Sequence, residues 1–116
     1  MPSKKPHRLN QINEFIKHKF GEIINQEMEL APGVLVSITN VKTSKDLRYA
    51  KAGLSIYPTD KTDTVFSAIC RKLSHLKFLL HQQITFKYAP EIKVYIDKNA
   101  QRAFETEQLL DKLKQK

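Results

Sequence analysis

Apolar residues recur along this chain with two different periods, and the changes of period divide it into elements. From Arg8 onward, Leu9, Ile12, Ile16, Phe20 and Ile23 form one helical stripe that continues to Met28. Arg8, Phe15, His18, Lys19 and Glu22 lie away from it. Gly21 costs this helix about 1 kcal/mol relative to Ala, which some five turns tolerate. Ala31-Pro32-Gly33 ends it and turns the chain. The period then becomes two: Val34, Val36 and Ile38 alternate with polar or exposed positions, predicting a strand with one buried face over Val34 to Val41. Lys42 to Asp46 suits a hairpin connection. A second strand follows from Leu47 to Tyr57, with Ala50, Ala52, Leu54 and Ile56 inward and Tyr49, Lys51, Gly53, Ser55 and Tyr57 outward.

Pro58 stops that strand, and Asp60, Thr62 or Asp63 offers a capping oxygen to the helix that begins nearby. In this helical segment Val65, Ile69, Leu73, Leu76 and Leu80 share one side, with Phe66 at its edge, whereas Arg71, His75, Phe78 and Gln82 fall opposite. Thr85 to Asp97 alternates again: Ile92, Val94 and Ile96 inward, Lys93 and Tyr95 outward, with Pro90 confined to the start or an edge. Asn99 is placed to cap a last helix, in which Ala103, Phe104, Leu110 and Leu113 form a weak stripe.

The predicted class is α+β, a three-stranded sheet with helices on one face plus a short C-terminal helix. A chain of 116 residues suffices for one domain. We read residues 1–7, with Lys4, Lys5 and two prolines, as a flexible basic arm, 8–98 as the domain and 99–116 as a C-terminal helix or tail. The uncovered sheet face would carry Lys51, Tyr57, Lys93 and Tyr95. Rings beside lysines can stack bases. Tyr is equally at home on any exposed strand.

Charge sharpens the picture because it is uneven. The net +8 divides into +4 over residues 1–20, −1 over 21–60, +4 over 61–100 and +1 over 101–116. Thr64 to Pro90 contains no acid but holds Arg71, Lys72, Lys77 and Lys87. Such a face is either a solvated surface or a phosphate-binding one, and two separated basic blocks favour an extended polyanion. Cys70 is the only cysteine, so no internal disulfide forms and a reducing compartment is expected; at the margin of the apolar side, its thiol should behave as a small hydrophobe. Apolar runs of four residues or fewer predict no membrane span. No phosphate loop, dinucleotide fingerprint, metal-ligand cluster or nucleophile elbow is present. These absences argue against an enzyme.

Several motifs, taken together, resemble the ribosome-binding factor A family. They are Val36-Ser-Ile-Thr-Asn-Val41, Thr43-Ser-Lys-Asp-Leu-Arg-Tyr-Ala50, Leu54-Ser-Ile-Tyr57, Leu76-Lys77 and Phe86-Lys-Tyr-Ala-Pro-Glu-Ile-Lys-Val-Tyr-Ile-Asp97, with Arg8 matching the arginine that opens the family's first helix. The resemblance implies a K-homology-like domain of type II, in the order α-β-β-α(kink)α-β, with a helix-kink-helix in place of the Gly-x-x-Gly loop. It implies a cofactor-free, non-enzymatic factor that binds the small ribosomal subunit during late maturation, assists processing of its ribosomal RNA and leaves before translation. One departure stands out: the family's Ala-x-Gly at the kink is Lys72-Leu73-Ser74 here, which predicts a shallower kink or a more basic surface.

On this reading the RNA contacts are Arg71, Lys72, His75 and Lys77 on the helical face, assisted by Arg8 and the Lys4-Lys5 arm. Lys45 and Arg48 in the hairpin are a second candidate contact, or else a solvated turn. The partners are a precursor of the small subunit and its ribosomal RNA, with an assembly GTPase as a further candidate. A cytoplasmic monomer with no membrane contact is expected. Two other readings compete: a K-homology-like binder of free single-stranded RNA, and a protein-interaction or membrane-surface module built on the first helix. Glu14 and Glu22 on that helix's polar side weigh against an anionic bilayer.

Overall fold

The computed structural model describes residues 4–84, 89–103, 106 and 110, with side chains from residue 9 onward. The elements are α1 (Lys4–Glu27), β1 (Leu35–Thr43), β2 (Tyr49–Tyr57), a 3-10 turn (Thr59–Lys61), α2 (Thr62–Arg71), α3 (Leu73–Gln83) and β3 (Glu91–Ile96). Residues 98–103 are again helical. Helix α1 starts at Lys4, four residues before the predicted Arg8, so Lys4 and Lys5 extend the helix where a separate arm was expected. Pro6 does not prevent this, because it falls in the first turn, where backbone N–H groups have no intrahelical acceptor.

The sheet has the order β1-β2-β3. Strands β1 and β2 form an antiparallel hairpin, whereas β2 and β3 are parallel and therefore need a crossover, which the α2-α3 unit supplies. Helix α1 lies on β1 and α3. Its Ile16, Phe20 and Ile24 are fully buried together with Leu54 and Ile56 of β2, Ile69 of α2, Leu76 and Leu80 of α3, and Ile92 of β3. These are largely the positions that the two periodicities put inward. The pattern in β1 is subtler: a register shift between Ile38 and Asn40 resets the alternation, so that Val36, Ile38 and Val41 all point into the core.

Two positions on the other sheet face, Gly53 and Ser55, are buried although their parity puts them outward. The cause is an arch over β2. Thr39 Oγ1 on β1 donates to Asp97 Oδ2 beyond β3 at 2.7 Å, and the Tyr95 ring lies against Gly53. A Cβ at Gly53 would meet Thr39 Oγ1 at 2.8 Å and the Tyr95 hydroxyl at 3.0 Å. Gly53→Ala is therefore expected to lower stability by about 1 to 3 kcal/mol, the usual range for overpacking a closed site, as measured by urea denaturation.

Element boundaries also differ in instructive ways. The position preceding α2, Lys61, makes no side-chain cap bond; the Thr62 hydroxyl donates instead to Thr59 O at 2.7 Å. At the C-terminal helical turns the cap is Asp97, not Asn99: Asp97 Oδ1 accepts from the Asn99 and Ala100 amides at 3.1 and 3.2 Å. Cys70 is exposed, since Ile69 takes the buried place and one residue further turns the side chain about 100° away. Residues 85–88, where the third strand was expected to begin, lie outside the described residues, as do Phe104 and Leu113 of the expected C-terminal stripe.

Candidate nucleic-acid interface

Arg71 closes α2 and Lys72 occupies the break before α3, with φ −98° and ψ 7°. The Lys72 amide still donates to the carbonyls of Ala68 and Ile69, at 3.2 and 3.1 Å. The helix therefore breaks at a single residue, and both cationic side chains stand on the outside of that break. Arg71 and Lys72 are exposed, and neither has an ion pair among the described residues.

His75 and Lys77 do not share that freedom. Lys77 Nζ is 2.6 Å from Glu91 Oε1, and the lysine side chain is only 21% exposed. This hydrogen bond, and then the ammonium charge itself, hold the Glu91 carboxyl below the usual carboxylate range. His75 Nε2 lies 3.3 Å from Glu27 Oε1 on α1. The acid-free stretch is thus acid-free only in sequence, because tertiary structure brings it acids from α1 and β3. Phe78, 58% exposed, remains a large ring on the outer surface of α3.

A second group of cations collects at the hairpin. Leu47 adopts φ 63°, and Asp46 organises the turn by accepting from Ser44 Oγ at 2.6 Å and the Arg48 amide at 3.1 Å. The Ser44 hydrogen bond, followed by that of the Arg48 amide, lowers the Asp46 pKa. Arg48 Nε sits 3.9 Å from Asp46 Oδ2, whereas Lys45 is exposed with no ion pair among the described residues. Asn13 Oδ1 accepts from the Thr43 amide at 3.0 Å and ties α1 to the hairpin. A shallow groove of about 560 Å³ runs between them, bordered by Asn10 and Asn13 on one side and Lys42, Lys45, Tyr49 and Lys51 on the other. The side chains of Lys4, Lys5 and Arg8 lie outside the described ones, but the backbone of α1 carries these residues beyond Leu9 at this same end.

The two cation groups are far apart. The start of α3 is joined to the end of α1 by His75 and Glu27, and the end of α1 is joined to the start of β1 by Asn25 Nδ2 donating to Val36 O at 3.1 Å. The hairpin lies at the other end of β1, roughly 26 Å away at about 3.3 Å per residue. The structure therefore groups Arg71 with Lys72, and Lys45 with Arg48, without bringing the pairs together. Lys42 was missed as a candidate; its place on the outer sheet face becomes visible only once the bulge at Ile38/Asn40 is known.

The sequence model of the family described as ribosome-binding factor A matches residues 8–110. The chain belongs to the ribosome-binding factor A family. Among its relatives, the chain is 33% identical over 114 residues to ribosome-binding factor A of Clostridium botulinum (strain Alaska E43 / Type E3), covering 95% of this chain and 97% of that protein. It is 30% identical over 113 residues to the Clostridium novyi (strain NT) protein, covering 95% and 93% respectively. The crystal structure of ribosome-binding factor A from Thermus thermophilus superposes with a TM-score of 0.64 at 16% identity, over 76% of this chain and 94% of that one; this likeness is one of fold. The α+β fold is thus the family's, with the expected order of helices and a three-stranded sheet. No described helix of this family member is long and apolar enough to cross a membrane.

Proposed function

We propose that this protein binds the small ribosomal subunit and its ribosomal RNA during late maturation and assists processing of that RNA. It acts as a non-enzymatic monomer in the cytoplasm. The observation that carries this reading is the family match across residues 8–110, since the relatives are named for binding ribosomes. Arg71 and Lys72 supply a docking group for phosphates at the helix break, and Lys45 and Arg48, with the start of α1, supply a second at the hairpin. Phosphate contacts of this kind position a protein on folded RNA without reading its sequence, so specificity comes from the assembled particle. Lys77 and His75 serve the fold through Glu91 and Glu27, and leave the contact to their neighbours.

Sedimentation of the purified protein with small-subunit precursors tests this directly. Comigration at moderate salt, lost progressively as salt rises, is the expected result. Protein that stays at the top of the gradient while retaining affinity for free RNA would instead mark a general RNA binder. Release by an assembly GTPase is a further step, which the same gradients with added nucleotide and GTPase would reveal.

A further inference from the structure

The face of the sheet turned away from the helices carries an unusual alignment. Lys42 on β1 is the register partner of Lys51 on β2, and Lys51 is the register partner of Lys93 on β3. All three are exposed, and none has an ion pair among the described residues. Three lysines thus stand in one row across the whole sheet, with neighbouring strands about 4.8 Å apart. Like charges directly opposite one another on a sheet are destabilising.

No acid of this face forms an ion pair with the row among the described residues, although Glu91 is near enough to feel the charge of Lys93 and offsets part of that repulsion. Glu91 is drawn aside by Lys77 at 2.6 Å, and Asp97 is held by Thr39 at 2.7 Å. Two rings flank the row along the strands: Tyr49, 54% exposed, and Tyr95, 39% exposed, laid down against Gly53. The row is also continuous with the groove at the hairpin, which Lys42 and Lys51 border.

We infer that this open sheet face is a further RNA-binding surface, on which a single-stranded RNA segment crosses the strands with its phosphates along Lys42, Lys51 and Lys93 and its bases beside Tyr49 and Tyr95. The inference rests on the reading of the chain as an RNA-binding ribosome factor and adds a surface separate from the helix break. One cation per strand, about 4.8 Å apart, matches the scale of phosphate charge along a strand. Exposed rings offer a sequence-tolerant stacking platform that a base-paired duplex cannot use.

The test is fluorescence anisotropy with a labelled single-stranded RNA of about 12 nucleotides across a salt series, alongside an unlabelled RNA duplex of equal length as competitor. The triple variant Lys42→Ala, Lys51→Ala, Lys93→Ala should bind the single strand about tenfold or more weakly, with a salt slope shallower by about 2, from about 0.7 per phosphate contact. Its denaturation midpoint should equal or exceed the parent's. Lys51→Gln, the milder change, should flatten the slope by about 0.7. The duplex should compete poorly. Unchanged affinity and slope in both variants would overturn the inference, as would a duplex that competes as well as the single strand. Separate gradients keep the two readings apart: a parent that comigrates with immature subunits while the triple variant binds RNA normally removes this surface alone, whereas a parent that binds neither removes both.

Discussion

Replacing Gln101 by Leu is expected to lower the unfolding free energy by about 3 to 4 kcal/mol, a loss that urea denaturation would show as a fall in midpoint at constant slope. The size follows from what Gln101 does. Beyond Ile96, strand β3 stops pairing with β2: Asp97 still donates its amide to Leu54 O at 2.8 Å, but the fully buried Ile56 is left without a strand neighbour on that side. The Gln101 side chain takes the strand's place. Its Oε1 accepts from the Ile56 amide at 3.0 Å and its Nε2 donates to Ile56 O at 2.7 Å. The same Nε2 is 2.7 Å from Thr62 Oγ1, which links the C-terminal helical turns to the start of α2. Leu fills the site and excludes water, so both Ile56 backbone groups would stay buried and unpaired, each costing about 1 to 3 kcal/mol. A loss below about 1 kcal/mol would mean that the segment after β3 does not hold this position in solution.

The largest effect on association with small-subunit precursors is expected at the helix break. Changing Arg71 and Lys72 together to Ala should weaken association with small-subunit precursors and make its salt slope shallower by about 1.4 to 1.8, from about 0.7 to 0.9 for each of two phosphates. Stability should fall by no more than about 1 kcal/mol, most of it from Arg71, whose charge lies favourably at the C-terminal end of α2. Lys77→Ala is the informative contrast. Its amine is already engaged by Glu91, so its removal should leave the slope nearly unchanged and raise the Glu91 pKa toward the usual range. Should Lys77→Ala flatten the slope as much as the double change, the Lys77 to Glu91 pair must open on RNA and the assignment of roles between these cations would be wrong.

Much of the fold was legible because it rests on local periodicity. The stripe Ile12, Ile16, Phe20, Ile23 and the alternation Ala50, Ala52, Leu54, Ile56 each report a face that must leave water, and all of these residues are buried. The register reset that turns Val41 inward was not legible, since a bulge changes phase without a distinctive residue to announce it. The caps were misplaced for a related reason. Asp97 and Asn99 can both accept amide bonds, and only the path of the chain after β3 selects Asp97.

The candidate site divides in the same way. The sequence alone determined the composition of the helical face, the position of its cations and the family motifs, because these are properties of residues and their spacing. Which cations are free was decided by tertiary structure. Glu27 lies 48 residues from His75, and Glu91 lies 14 from Lys77, yet both pairs are in contact. Lys42, Lys51 and Lys93 belong to three separate strands and share one row only through the sheet register. Charge pairing depends on distance in space and falls off steeply with it, whereas a sequence records only distance along the chain.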